Sequence, residues 1–467
     1  MAAADEYAEM PPLPRPPARV FVGGRTARTS PTGSPRLPGS KYYTLRYLLN
    51  ALLAGGESRV RAPALSDDTA TLVRAMRALG ARARWERDKA DVWSLTVSGT
   101  AGRLSPPAGG VLHMGNAGAA LRLLVGIGAL LPAIRFETDH PDSLGRRPNA
   151  DLLAALRAIG IETESKEPGG MLPITLRGGP PAGGAVTVSG AQSSQYVSAL
   201  LYLGPLLREG LDITVAGGLR SAPLVRVTLR ALAAAGVSVR ARKDLSRFQI
   251  PEAQRFMPRD YWTPGDTPST AALVAAARAL EADLRLDGLA WADEDAQALV
   301  GALETLGAPL VERPMEANGG ALRLRGAAQG SPKSGSVREI DCDPVIDSVP
   351  ALVALACLTP GETRFLNGAN LRAKESDRIG DLCSELACAG ADVTPLEDGI
   401  IARGQPNGIE GGATVAAHDD HRVAQALAIV GMASERGLII DGADAVAKSY
   451  PWFFEDLERM GALVEVR

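Results

Sequence analysis

Six times along this chain a helix-like segment stops on a glycine and passes into a short β-like run. The segments RAMRALG, AALRAIG, RALAAAG, ALETLG, SELACAG and DLERMG end at Gly80, Gly160, Gly236, Gly307, Gly390 and Gly461, about 76 residues apart. The runs that follow, from ARARW to ALVEV, read as strands entered from a glycine C-cap. A second helical segment precedes each of these, opening near Lys41, Asn116, Ser193, Asp266, Asp347 and His421. This second set is apolar nearly all round and belongs inside, whereas the glycine-stopped set carries charge on one face and belongs outside. A unit of this size cannot bury its own core, so six βαβαββ-like units are expected to group as three and three in an α/β fold.

Charge narrows the function. With 50 Lys+Arg against 53 Asp+Glu and a net charge of -3, the chain lacks the basic surface a general nucleic-acid binder needs, so any positive potential must be local. The Pro-rich stretch over 1–18 is expected to be a flexible tail and has no apolar core of the kind a secretory signal carries. The longest apolar run, Leu121 to Ile134, contains Arg122 and two glycines and reads as buried helix rather than a membrane span. Cys342, Cys357, Cys383 and Cys388 show no paired CxxC spacing, which predicts reduced, buried thiols rather than zinc or disulfides. Together these features predict a cytoplasmic protein with neither nucleic-acid nor membrane partners.

Polar residues gather at the openings of the inner helices. A buried helix N-terminus offers unpaired N–H groups and the positive end of a dipole, so convergence of six such openings would build an anion-binding cleft between two domains. Ser, Asp and Asn at these places also serve as N-caps, but capping does not account for the accompanying Lys and Arg. The stretches concerned are PGSKYYTLR, GNAGAALR, RRPNADLL, SGAQSSQY, LRSAPLVR, DPVIDSVP, NLRAKESDR, HDDHR and AKSYPWFF. GNAGAA lacks the strand, spacing and downstream acid of a dinucleotide fingerprint, and no GxxxxGK[ST] occurs. His418 and His421, three apart with no third soft ligand, do not make a metal site. Asp347, at the mouth of an apolar helix, reads equally as a buried base or as a helix cap.

Taken together, PGSK, GNAG-x3-R, RP-x4-L, SSQ, K-E-x-D-R, DHR and a late Lys before an aromatic-rich helix resemble the enolpyruvyl transferases, and within them the 5-enolpyruvylshikimate-3-phosphate synthases. The resemblance runs from about Leu37 to Phe454. It implies a two-domain inside-out α/β barrel of six βαβαββ repeats, with one domain over 40–264 and the other over 19–39 plus 265–467. It also implies transfer of the enolpyruvyl group of phosphoenolpyruvate to a hydroxyl of a phosphorylated acceptor, releasing phosphate, with small-molecule partners only, no metal or organic cofactor, and a monomer.

On the family pattern Lys41, Arg147, Arg378, Arg422 and Lys448 hold the phosphoenolpyruvate phosphate and carboxylate, with Gly118 and Gln195 beside them. Ser193, Ser194, Gln195 and Ser221 match acceptor ligands, and Arg46, Asn370 and Lys374 match further acceptor contacts. Asp347 matches the group that orients and deprotonates the acceptor hydroxyl. Glu375, Lys448, Lys41 and His421 are the other catalytic candidates. The departures fall on the acceptor side: Tyr42 stands where the family has Ser, Leu224 where it often has Tyr, and Ala119 where Thr is frequent. A phenol ring at Tyr42 fills volume a shikimate ring would use or offers a face to a flat base. The resemblance therefore leaves two acceptors, shikimate 3-phosphate and the 3'-hydroxyl of UMP, the latter used by a branch that makes nucleoside antibiotics. A non-catalytic phosphate sensor would have lost Asp347, Glu375 and Lys374, and transfer to UDP-N-acetylglucosamine would normally bring a Cys before residue 342; neither pattern is present.

Overall fold

The computed structural model describes residues 10–11, 13–89, 92–308, 320–324 (backbone only), 336–405 and 408–467. Helices come in pairs along the chain. They are α1 (Lys41–Leu53) and α2 (Asp67–Ala78), α3 (Gly118–Gly128) and α4 (Ala150–Ala158), α5 (Ser194–Leu203) and α6 (Ala222–Ala234), α7 (Thr267–Leu280) and α8 (Glu294–Thr305), α9 (Val349–Cys357) and α10 (Gly380–Cys388), α11 (His421–Ala433) and α12 (Phe453–Arg459). The first member of each pair is buried almost all round: ten of eleven residues in α3 and all nine in α9, against four of nine in α4 and three of nine in α10.

The second members stop as the glycines require. All six glycines have positive φ, from +71° at Gly307 to +105° at Gly80. The amide after each glycine returns to a carbonyl five residues back, as in Ala81 N to Met76 O at 3.0 Å and Ala462 N to Leu457 O at 2.9 Å. This closure satisfies carbonyls that the helix end leaves open, and a Cβ in that left-handed region would cost roughly 1 kcal/mol. Strands follow at Arg82–Arg87, Glu162–Lys166, Arg240–Ala241, Asp392–Pro395 and Val464–Val466. The strand expected after Gly307 falls largely on 309–319, outside the described residues.

Two units result. The first, Gly39–Thr263, holds three four-stranded sheets with one topology: a parallel pair followed by two antiparallel neighbours. In the second sheet Val111–His113 runs parallel to Ala133–Glu137, then Met171–Arg177 and Glu162–Lys166 are antiparallel. The unit made of Leu13–Pro38 and Pro264–Arg467 repeats this topology in two sheets, and its remaining sheet pairs Leu284–Leu289 with Gly320–Leu324. Two sheets are completed by distant segments, so not every repeat is a contiguous stretch. Asp260–Trp262 pairs with Glu57–Arg61 in the first unit, and Arg19–Val22 sits between Leu438–Asp441 and Val464–Val466 in the second. Each exchange ties the end of a unit to its beginning.

Two sequence expectations need correction. The run Leu121 to Ile134 is helical only to Gly128, and Ile134 lies in the strand Ala133–Glu137, because the turn through Leu130–Pro132 breaks it. Cys388 is exposed at the end of α10, on the solvent face of an outer helix; the other three thiols are buried. Desolvation pushes the Cys357 and Cys383 thiols up to about 12. Of the tail over 1–18, residues 1–9 and 12 lie outside the described residues, and Met10 packs on the core of the first unit. Among the described residues no helix is long and apolar enough to cross a membrane.

Candidate active site

In the first unit, the openings of α1, α3 and α5 carry the expected groups. Gly39 is required by contact, since a Cβ there would stand 2.1 Å from the Ala62 carbonyl oxygen. Ser40 caps α1, its Oγ accepting from Tyr43 N at 3.5 Å. Lys41 follows, buried, with Nζ 3.3 Å from Oδ2 of Asp68 in the first turn of α2. Gly118 begins α3, and a Cβ on it would meet Arg147 Nη1 at 2.6 Å, so the guanidinium lies directly against the helix start.

Arg122, one turn further on, ties the neighbouring loop to α5. It donates from Nη1 to Gln195 Oε1 at 2.8 Å, from Nη2 to Pro148 O at 3.3 Å and from Nε to Asn149 Oδ1 at 3.3 Å. Asn149 in turn donates to Arg147 O at 2.9 Å. Arg147 and Gln195 are thereby anchored through one buried cation. Ser193 caps α5, accepting from Gln195 N at 3.3 Å, and Ser194 is its buried first residue. Ser221 precedes α6 in the left-handed region at φ +52°, unusual for a residue with a Cβ.

Arg46 lies on α1, 5% exposed, and is held by α6 and by its own preceding turn. Nε donates to Thr228 Oγ1 at 2.7 Å, Nη1 to Tyr42 O at 2.9 Å and Nη2 to Leu224 O at 3.1 Å. Two of the three residues that depart from the family pattern, Tyr42 and Leu224, thus grip Arg46 through backbone carbonyls, which their side chains do not alter.

In the second unit, charges are concentrated around Arg378, which is 1% exposed. Its Nε and Nη2 fork onto Asp420 Oδ2 and Oδ1 at 2.7 and 3.0 Å, while Nη1 reaches Asp347 Oδ1 at 2.9 Å and Nη2 reaches Glu375 Oε2 at 2.8 Å. Burial alone would lower the Arg378 pKa, but the three carboxylates outweigh it and raise it. Lys374 Nζ lies 3.0 Å from Asp347 Oδ1, and Lys448 Nζ lies 3.5 Å from Glu375 Oε1. Three cations and three acids therefore form one connected cluster, with each lysine set against a carboxylate.

Asp420 also caps α11 by accepting from Arg422 N at 2.9 Å, and His421 Nδ1 lies 3.7 Å from its Oδ1. Arg422 Nη2 reaches Asp266 Oδ2, the cap of α7, at 3.5 Å. Arg378 and Arg422 thus link the openings of α7, α9 and α11. The N-cap of α9 is Ser348, and Asp347 sits before it, bonded to Lys374 and Arg378. Asp347 therefore stands in the ion-pair cluster and not at the cap position of α9. Asn370 lies half-buried in the short helix Ala369–Ala373 that leads to Lys374.

Sequence reasoning gave no role to Asp68 or Asn149, and it placed Asp266 at a helix opening and Asp420 within HDDHR without their ion-pair partners. Asp68 sits in SDDT and reads as an acid complementing a helix dipole; only the fold brings Lys41 to it. His418 pairs with Glu385, Nε2 to Oε1 at 2.8 Å, and among the described residues no group of His, Cys, Asp and Glu could hold a metal.

A chain of two three-sheet units, with lysines, arginines and acids gathered at inner-helix openings, is built for transfer chemistry on small anions. It belongs to the EPSP synthase (3-phosphoshikimate 1-carboxyvinyltransferase) family, whose model it matches over residues 26–457, and is an enolpyruvyl transferase with the two-domain inside-out α/β fold. It is 40% identical to the 3-phosphoshikimate 1-carboxyvinyltransferase of Deinococcus radiodurans, covering 93% of this chain and 94% of that protein. Identity to the enzyme of that name from Burkholderia pseudomallei is 34%, covering 93% of each. Among solved structures, EPSP synthase from Acinetobacter baumannii superposes with a TM-score of 0.78 at 25% identity, covering 96% of this chain and 99% of that one. The enolpyruvyl transferase NikO from Streptomyces tendae superposes with a TM-score of 0.73 over 96% and 99%, and its 18% identity speaks for the fold alone.

Proposed function

We propose that the acceptor is shikimate 3-phosphate, whose 5-hydroxyl receives the enolpyruvyl group of phosphoenolpyruvate. The observation that carries this reading is the mooring of Arg46. Tyr42 and Leu224 made a changed acceptor conceivable, yet both hold the Arg46 guanidinium through main-chain carbonyls. A guanidinium fixed in this way suits a carboxylate, which shikimate 3-phosphate carries and UMP lacks. The relatives named 3-phosphoshikimate 1-carboxyvinyltransferase support the same acceptor.

In this reading Lys41, Gly118, Arg147, Gln195, Arg378, Arg422 and Lys448 bind phosphoenolpyruvate, Ser193, Ser194 and Ser221 take the acceptor phosphate, and Gln195 also touches the acceptor. Arg46 takes the acceptor carboxylate, with Tyr42 and Leu224 beside it. Asp347, Lys374 and Asn370 face the acceptor hydroxyls. Lys448, Glu375, Lys41 and His421 serve proton transfer. A proton delivered to the methylene carbon leaves a cationic C2, which the hydroxyl attacks as Asp347 takes its proton. Loss of a methyl proton and of phosphate from the tetrahedral intermediate then restores the enol ether. Fixed charges of both signs stabilise these developing charges without reorganising. The protein is further proposed to act in the cytoplasm as a monomer, in domains corresponding to its two units.

Phosphate release from phosphoenolpyruvate, followed with shikimate 3-phosphate and separately with UMP, tests the acceptor. Saturable turnover with the first and none with the second is expected; turnover with UMP alone would overturn the reading.

A further inference from the structure

Thr228 projects from α6 with no exposure to solvent, outside every motif that marks the family resemblance. Its hydroxyl has three bonding neighbours. Oγ1 accepts from Arg46 Nε at 2.7 Å, donates to Leu224 O at 3.1 Å and lies 2.8 Å from Ser198 Oγ on α5. A hydroxyl has one proton and two lone pairs, and Arg46 can only donate. If the Thr228 proton goes to Leu224 O, the contact with Ser198 must be one in which Ser198 donates. Every bonding position on Thr228 Oγ1 is then used, and the direction of each bond is fixed.

Leu224 O completes a small ring, since it also accepts from Arg46 Nη2 at 3.1 Å. The Nε and Nη2 edge of the guanidinium is therefore docked on α6 through one side-chain hydroxyl and one carbonyl. A second anchor holds the backbone of the residue, because the Tyr202 hydroxyl on α5 donates to the main-chain Arg46 O at 3.0 Å. Helices α1, α5 and α6 meet at this point, and Thr228 supplies a side-chain group of this ring that bonds the guanidinium itself.

We propose that Thr228 is a positioning residue for acceptor recognition: it sets the plane of the Arg46 guanidinium so that its remaining N–H groups meet the acceptor carboxylate. This rests on the reading of shikimate 3-phosphate as the acceptor. A planar fork binds a carboxylate well only when its plane is fixed, and a buried guanidinium that loses one anchor swings toward whatever acceptor remains. Valine matches threonine in shape but removes both the lone pairs that Arg46 and Ser198 use and the proton given to Leu224.

The test compares the unsubstituted protein with Thr228→Val, Thr228→Ala and Thr228→Ser, measuring KM for each substrate at saturating levels of the other, kcat and thermal stability. Thr228→Val and Thr228→Ala are expected to raise the KM for shikimate 3-phosphate about 10-fold while the KM for phosphoenolpyruvate changes less than 2-fold. Thr228→Ser should restore values near those of the unsubstituted protein. In an Arg46→Lys background, Thr228→Val should add less than 2-fold. Should the valine variant fail to fold, the alanine and serine pair reads the same hydroxyl. A fall in stability with the acceptor KM unchanged, or an equal rise in both KM values, would overturn the proposal. Absence of turnover of shikimate 3-phosphate by the unsubstituted protein would overturn the acceptor reading, and is visible before any variant is made.

Discussion

Replacing Gly118 by Ala separates binding from stability at a single atom. The glycine is the first residue of α3, with no positive φ, so its backbone accepts an alanine without strain. Alanine is the better helix former by up to about 1 kcal/mol, less at a helix end, so stability should hold or rise slightly. The new Cβ would stand 2.6 Å from Arg147 Nη1 and 3.3 Å from Leu144 Cδ1. Ordinary contact with nitrogen needs about 3.4 Å, so the guanidinium must retreat by roughly 0.8 Å. Its backbone is tied by Asn149 and cannot follow, so the side chain must rotate away from the helix start. A charge-assisted bond is worth about 1.5 to 3 kcal/mol, which gives a rise of about 10- to 100-fold in the KM for phosphoenolpyruvate. The KM for the acceptor should change by less than about 3-fold, because none of the proposed acceptor ligands lies on α3. Steady-state phosphate release with each substrate varied in turn measures both. An unchanged phosphoenolpyruvate KM would refute the claim that Arg147 binds the donor beside Gly118.

Other outcomes follow from the second unit. Asp347→Asn keeps the size of the side chain and removes the base, so kcat should fall by about 100- to 10,000-fold with a phosphoenolpyruvate KM within a few-fold of normal; near-normal turnover would remove Asp347 from the mechanism. Asp420→Ala strips Arg378 of its bidentate partner and α11 of its cap, and should cost about 3 kcal/mol or more of stability in denaturant titration. A loss below 1 kcal/mol would contradict the buried fork. Asp295, in the first turn of α8, has its pKa pushed up to about 6, first by burial and then by Asp293. The folded state therefore holds this proton more tightly than the unfolded one, and the stability it contributes below about pH 4 is lost as pH rises through 6. Asp295→Asn should raise stability by about 3 kcal/mol at pH 7.5 and by little at pH 4; a pH-independent difference would contradict this.

The six glycines were legible because the left-handed φ they adopt is a local demand, written into the sequence wherever a helix ends that way. The inner helices were legible for a similar reason, since only a segment buried on all sides is apolar on all sides. The sheets were less so: Arg19–Val22 and Asp260–Trp262 complete sheets hundreds of residues away, and nothing in a four-residue strand announces its partner. At the site, Lys, Arg and Asp in loops could be enumerated, but which acid meets which cation could not. Asp68 beside Lys41 and Asp420 forked onto Arg378 are products of packing between elements distant in sequence. Tyr42 and Leu224 stood out in sequence as side-chain departures, while the backbone carbonyls by which they hold Arg46 were visible only in the fold.

Phosphorus NMR of the protein incubated with phosphoenolpyruvate and shikimate 3-phosphate tests the central claim most directly. The phosphoenolpyruvate resonance should give way to inorganic phosphate mole for mole as an enolpyruvyl adduct of the acceptor forms with its own phosphate retained. Phosphate appearing without the adduct, or an adduct formed with UMP while shikimate 3-phosphate stays unchanged, would contradict it.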